Sequence, residues 1–421
     1  MTDADNNVAM GYSALTTNVL GSESVAIGTF ALNSQNPASA TNMYNVAVGH
    51  NTGAAITTGI QNTLMGGLAG DALTDADYNV VMGVGALGTD TKGNKSVAIG
   101  HSALNVQNFT SSTDTHNTAV GFNAGSAVTT GIENTLLGGE AGDALTDGGT
   151  NVAVGKGSIG SDTRGSKSTA VGTGSLSSQN FTSATDTYNT AMGYVAGAAI
   201  TTGVENTLIG GQAGDALTDA DYNVAIGVSA LGADTLGSRA TALGFGALAN
   251  QNFTSATANY NTAVGFYAGV AITTGIRNTF IGGLAGDATT TANNNTGVGY
   301  GALTTNTTGT NLVAMGYLAL GSNTEGTSNV AVGNSSLATT STGANNTAVG
   351  HEAMTANTTG GSNVGIGQAA LDANTIGESN VSVGARSLTA NTEGNSNVAV
   401  GKDSLFVSTT ASNNTAVGQS A

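Results

Sequence analysis

The residues with the clearest chemical potential are spaced carboxylates: Asp71, Asp75 and Asp77, then Asp143 and Asp147, then Asp215, Asp219 and Asp221. Several carboxylates on one turn could supply oxygen ligands for calcium. Their spacing matches no established calcium motif, and Asp147 is followed by "GGTN", which removes one member of the second group. A solvated acidic edge is the competing reading, and calcium is the only ion these groups suggest. The histidines His50, His101, His116 and His351 are scattered, with no recurring nucleophile or paired acid beside them. Stretches such as "GGLAGDA" lack the Gly-Lys-Ser/Thr and the opening helix of a phosphate loop. The expectation is therefore a protein that is not an enzyme and carries no cofactor.

Aromatic residues offer a second chemistry, contact with sugar rings. Tyr12, Phe122, Tyr194, Phe245, Phe266, Tyr300 and Tyr317 each follow a glycine and could line a carbohydrate surface, with packing or interface roles as the competing reading. Phe109, Phe181 and Phe253, with Tyr44, Tyr188 and Tyr260, are the surface-binding candidates, because they fall in related inserts that recur every 72 residues. The "NFT" sequons at Asn108, Asn180 and Asn252 matter only where a glycosylation machinery meets them.

What positions these residues follows from composition. Among 421 residues there are 64 Gly, 1 Pro, no Cys and no Trp, and only 8% are charged, so a single thick core is not expected. A formal charge of -17 repels nucleic-acid phosphates and anionic lipid. Apolar runs are far too short for a spanning helix, and "MTDADNNVAMG" lacks the basic and apolar regions of a secretory signal. Neither nucleic acid nor membrane insertion is expected. The absence of cysteine excludes a disulfide framework and a thiolate metal site.

The chain is one long repeat. Close variants of "NTAVG" end in a glycine at 24 positions from Gly11 to Gly418, separated by nineteen intervals of 17 residues and four of 21. The longer intervals end at Gly49, Gly121, Gly193 and Gly265 and carry inserts such as "NVQNFTSSTDTHN". Two continuous zones result: residues 1–282, with a 72-residue super-repeat, and residues 283–421, with uniform 17-residue repeats.

One residue before this marker glycine, all 24 positions are Val, Ile, Leu or Met; three before it, twelve are Val and twelve Thr. Such pairs on a short segment closed by glycine read as a strand with those two columns inward. The residue between them, mostly Ala, should then face outward, and it is never charged. Ala47, Ala119, Ala191, Ala263, Ala331 and Ala399 are accordingly expected to form an interface with a neighbouring chain. Four residues before the marker, Asn occurs in 19 turns, and Asn45, Asn117, Asn189 and Asn261 are expected to stack as a hydrogen-bonded amide ladder. The fold class is all-β: a parallel β-solenoid, either β-roll or β-helix, of about 24 coils with 17 residues each. Its four-residue inserts fall at every fourth coil of the N-terminal two-thirds.

The phrases "NTAVG", "NVAVG" and "SVAIG", followed by "ALxxNTTG" or "AGxAITTG", resemble head repeats of YadA-type trimeric autotransporter adhesins. They resemble more closely the longer-period repeats of phage tail fibres and related appendages. That resemblance covers essentially the whole chain and implies a left-handed roll, a homotrimer, and a place on a virion or at the cell surface. The implied function is a structural fibre mediating attachment through a cell-surface glycan or protein receptor. A head-to-tail filament with a structural role only is the alternative. The period departs from the adhesin head, whose repeat is shorter than 17 residues.

Overall fold

The computed structural model describes residues 4–421, and these contain strands and turns only. Each marker glycine closes a three-residue strand, for example Thr118–Val120, Thr135–Leu137 and Val152–Val154. Twelve such strands lie in the compact unit Met1–Gly211 and twelve in Gln212–Ala421. Within each unit successive strands pair in parallel with no slip, as in Thr118 with Thr135, Ala119 with Leu136 and Val120 with Leu137. Each coil is therefore one turn of a parallel β-solenoid, and the hydrogen-bonded ladders run from coil to coil.

Marker glycines are obligatory for two reasons. Gly121 has φ 144°, and a Cβ built there would lie 2.4 Å from the carbonyl oxygen of Gly138 in the next coil. Any side chain at this corner would push the coils apart.

The strands face the opposite way from the sequence expectation. Ala47, Ala119, Ala191, Ala263, Ala331 and Ala399 are completely buried inside the coil and form no surface. Their neighbours on either side, the Val/Thr column and the aliphatic column, point outward and are half-buried to exposed. The reason is dimensional. The interior of a 17-residue coil must also hold the Asn four before the marker and a Leu four after it, both buried, which leaves room only for Ala.

Exceptions to Ala follow the same volume rule. Leu136 occupies the Ala position where the residue four after the marker is Gly both in its own coil, at Gly142, and in the preceding one, at Gly125. A Cβ on Gly125 would come within 2.6 Å of Leu136 Cδ1, and one on Gly142 within 2.8 Å of Leu136 Cδ2. Leu64, Leu208 and Phe280 sit between glycines in the same way, and all four side chains are fully buried.

The amide ladder forms as expected. Asn117 Oδ1 accepts from the backbone N–H of Asn134 at 2.9 Å, while Asn117 Nδ2 crosses the interior to donate to the Gly131 carbonyl at 2.7 Å. Asn45, Asn189 and Asn261 make the same two bonds to Asn62 and Gly59, Asn206 and Gly203, and Asn278 and Gly275. Each amide thus ties adjacent coils together and braces the strand against the opposite wall. In the second unit a further amide column stands seven residues after the marker, where Asn323 Nδ2 donates to Asn306 Oδ1 at 2.9 Å and Asn374 Nδ2 to Asn357 Oδ1 at 2.8 Å.

Candidate interaction surfaces

Insert coils are anchored from within. Asp90 is completely buried in the coil before the second insert; its Oδ1 accepts from the N–H groups of Gly93 and Phe109, both at 3.1 Å. Its Oδ2 accepts from Gln107 Nε2 at 2.6 Å, and Gln107 Oε1 in turn accepts from Asn117 Nδ2 at 2.8 Å. The constellation recurs as Asp162, Gln179 and Asn189 and as Asp234, Gln251 and Asn261. A buried carboxylate is tolerable only when its lone pairs are satisfied in this way. Sequence reasoning missed these aspartates, although each recurs seven residues after a marker at the 72-residue spacing.

This anchoring takes three of the aromatic candidates out of solvent. Phe109, Phe181 and Phe253 are 8%, 6% and 6% exposed, so they are not surface-binding residues. The Phe253 ring lies against Gly237, where an added Cβ would meet its Cδ2 at 2.8 Å, and the backbone N–H of Phe253 is held by Asp234. Tyr44, Tyr188 and Tyr260 do reach the surface, each about half exposed. They stand five residues before the marker, at a corner where every coil adopts a left-handed backbone, with φ 51° at Tyr44 and Tyr188 and 54° at Tyr260.

Charges gather at these corners. Lys167 Nζ lies 2.6 Å from Asp186 Oδ2 and 3.1 Å from Tyr188 Oη, and it sits 5.1 Å from the centre of that ring. The Asp186 carboxylate and then the Tyr188 hydroxyl push the Lys167 ammonium pKa up. Lys95 bonds to Asp114, and that contact holds the Asp114 carboxyl below the usual range. In the second unit Arg239 lies over both Tyr222 and Tyr260, at 5.1 and 5.9 Å from the ring centres.

The calcium candidates do not converge. Asp77 Oδ1 accepts from the Ile60 backbone N–H at 2.8 Å, and Asp75 faces Lys92 at 3.6 Å. Asp147 faces Arg164 at 3.4 Å. At Asp71, Asp143 and Asp215 burial pushes each carboxyl pKa up, with the negative charge of Glu140 adding to it at Asp143. Burial also raises Asp77, against the bond from Ile60 and with the negative charges of Asp75 and Asp114 adding to it. Among the described residues no three His, Cys, Asp or Glu side chains come together in a metal-holding group. Asp219 and Asp221 belong to no such group either.

The outer face of the sheet is a continuous surface of another kind. Both outward columns are uncharged in every coil, and the residue after the marker extends the face with stacked rings: Phe245 on Phe266 at 5.7 Å and Tyr300 on Tyr317 at 5.9 Å. Met65, Met192 and Met315 on this face are 44%, 42% and 44% exposed. No protein-family model matches the chain, and no curated protein is similar to it.

Proposed function

We propose that the chain is a structural fibre or appendage protein whose copies associate side by side through the outer face of the sheet, as an attachment element of a virion or cell surface. The observation that carries this reading is the outward pair of columns: aliphatic or Val/Thr in every coil, never charged, and left open to solvent. Twelve strands at the sheet spacing make a face roughly 58 Å long and, from the Val/Thr column to the residue after the marker, roughly 13 Å wide. That is about 750 Å² in each unit, close to the roughly 800 Å² per partner of a standard interface. Charge enters this face only in the column after the marker, at Lys156 and Lys402, and a continuous face this large marks an association surface. Because the face is a regular parallel sheet with an uncharged Val, Thr or aliphatic residue at every outward strand position, a second copy of the same chain presents the same rung spacing, and closure about a threefold axis would hide all three faces.

Light scattering on the full chain tests the assembly. The expected mass is a small multiple of 40.8 kDa, falling to the monomer in a variant carrying Val120→Lys, Val154→Lys and Met192→Lys on alternate coils. A monomeric wild type, or a mass unchanged in that variant, overturns the reading. A mass that grows without limit with concentration supports the head-to-tail filament instead.

A further inference from the structure

At the corner five residues before each marker, the chain carries its own control. From residue 294 onward this position is Asn or Ser in all eight coils, short side chains that suit the left-handed backbone, for example Asn294 at φ 58° and Ser328 at φ 56°. In the sixteen earlier coils the same position, with the same backbone, holds Tyr44, Tyr78, Tyr188, Tyr222, Tyr260, Lys95, Lys167, Arg239 and Arg277, with Asn6, Glu23, Gln61, His116, Glu133, Thr150 and Glu205 at the rest. The fold does not ask for these residues, because Asn and Ser close the same corner. Bulky side chains there also oppose the local backbone preference. Half of the protein's 10 Tyr and four of its 9 cationic residues are nevertheless spent at this one position.

The ridge is preorganised and polar. Lys167 lies over the Tyr188 ring and Arg239 over both Tyr222 and Tyr260, which restrains these three rings, while all five corner tyrosines stay about half exposed. Two of the hydroxyls have polar neighbours: Asn42 Nδ2 donates to Tyr44 Oη at 3.2 Å, and Tyr188 Oη lies 3.4 Å from Asp186 Oδ2. Such a surface hydrogen-bonds to arrays of hydroxyl groups at small entropic cost. Tyr44 and Tyr78, like Tyr222 and Tyr260, are two coils apart, about 9.6 Å at the sheet spacing. That is close to the advance of two linked sugar rings in an extended chain. A regularly repeated site gains most from a ligand that is itself a regular polymer, because each further contact is intramolecular. The overall charge disfavours nucleic acid as that polymer.

We propose that this corner ridge, from Tyr44 to Glu205 in the first unit and from Tyr222 to Arg277 in the second, binds a hydroxyl-rich polysaccharide lying along the coils. The proposal rests on the attachment reading above and names its ligand. The test is electrophoresis of the full chain through gels cast with hydroxyethyl cellulose, xylan, galactomannan, chitosan or alginate. Wild type should be retarded by at least one of them. The variant Tyr44→Ser, Tyr78→Ser, Tyr188→Ser, Tyr222→Ser and Tyr260→Ser, which installs the residue the chain itself uses at this corner, should run freely with unchanged circular dichroism. Four-sugar fragments of the retarding polymer should compete at least a hundredfold less well than the polymer. Retardation by none of the five, retardation unaltered in the variant, or equal competition by fragments overturns the proposal. A chain that associates but is never retarded removes the ligand and leaves the fibre; a chain that is retarded as a monomer does the reverse.

Discussion

Gln107 Nε2 donates to Asp90 Oδ2 at 2.6 Å, joining two fully buried side chains across the step from a plain coil to the coil carrying the insert. The same pair at Asp162 and Gln179 is 2.5 Å apart, and at Asp234 and Gln251 it is 2.6 Å. In the first super-repeat the position is Asn18, whose Oδ1 accepts from Gly21 N–H at 3.0 Å and whose Nδ2 donates back to the Gly21 carbonyl at 2.7 Å. An amide therefore closes this corner in place of the carboxylate, by bonding to the backbone of the same turn.

Asp162→Ala should be far more damaging than Asp162→Asn. Alanine strips the acceptor from Gly165 N–H, Phe181 N–H and Gln179 Nε2. At roughly 1–3 kcal/mol for each buried donor left without a partner, the loss is about 3 kcal/mol or more. Asparagine keeps an acceptor for the backbone and should cost about 1 kcal/mol. Denaturant unfolding gives both values, and equal losses would show that the carboxylate does not hold the insert.

Core volume sets the second expectation. Leu136→Ala leaves a void that Gly125 and Gly142 cannot fill, so it should cost about 2–5 kcal/mol. Ala119→Leu forces a larger side chain into a completely buried site and should cost about 1–3 kcal/mol. Both are read from the denaturation midpoint. If Ala119 lay on an interface instead, Ala119→Leu would change the mass of the assembly and leave the folding stability of the chain intact.

The inverted strand shows where the sequence was ambiguous. Coil number, parallel register and the Asn117 ladder follow from exact repetition, since a period of 17 with one amide per turn has few other solutions. The facing of Thr118, Ala119 and Val120 does not follow, because a three-residue strand apolar at every position carries no alternation from which to read a phase. The phase was present one residue earlier: Asn117 points inward, so Thr118 must point out and Ala119 in. Phe109 misled for a related reason, since an aromatic within an insert looks like decoration until Asp90 is seen drawing its backbone inside. Pro37, buried at the equivalent place in the first insert, was the available hint.

Breaks in the second amide column offer a stabilising change. Asn323 Oδ1 is buried with no hydrogen-bond partner, because the next residue in its column is Thr340 rather than Asn. Asn357 Nδ2 reaches Thr340 Oγ1 only at 3.5 Å. Thr340→Asn would place an Nδ2 donor below Asn323 and an Oδ1 acceptor above for Asn357, continuing the ladder already formed by Asn357 and Asn374. A gain of about 1 kcal/mol is expected, seen as a raised midpoint of chemical denaturation. A neutral or negative effect would mean that the Asn323 amide is satisfied in another way.

Acidity gives the last expectation. Burial pushes the carboxyls of Asp71, Asp143 and Asp215 above their ordinary value of 3.8, partly offset by the backbone N–H of the same residues. A folded-state pKa above the unfolded one means that the folded chain binds more protons between the two values. The stabilising contribution of these groups is therefore complete below 3.8 and is lost as pH rises through the raised folded values. All three residues are only partly buried, so solvent screens them and the effect is a modest shift in melting temperature. The variant Asp71→Asn, Asp143→Asn and Asp215→Asn should melt above wild type at pH ~7 and together with it at pH ~3. A melting difference that does not change between those two pH values would mean that desolvation of these carboxylates is not what separates the two proteins.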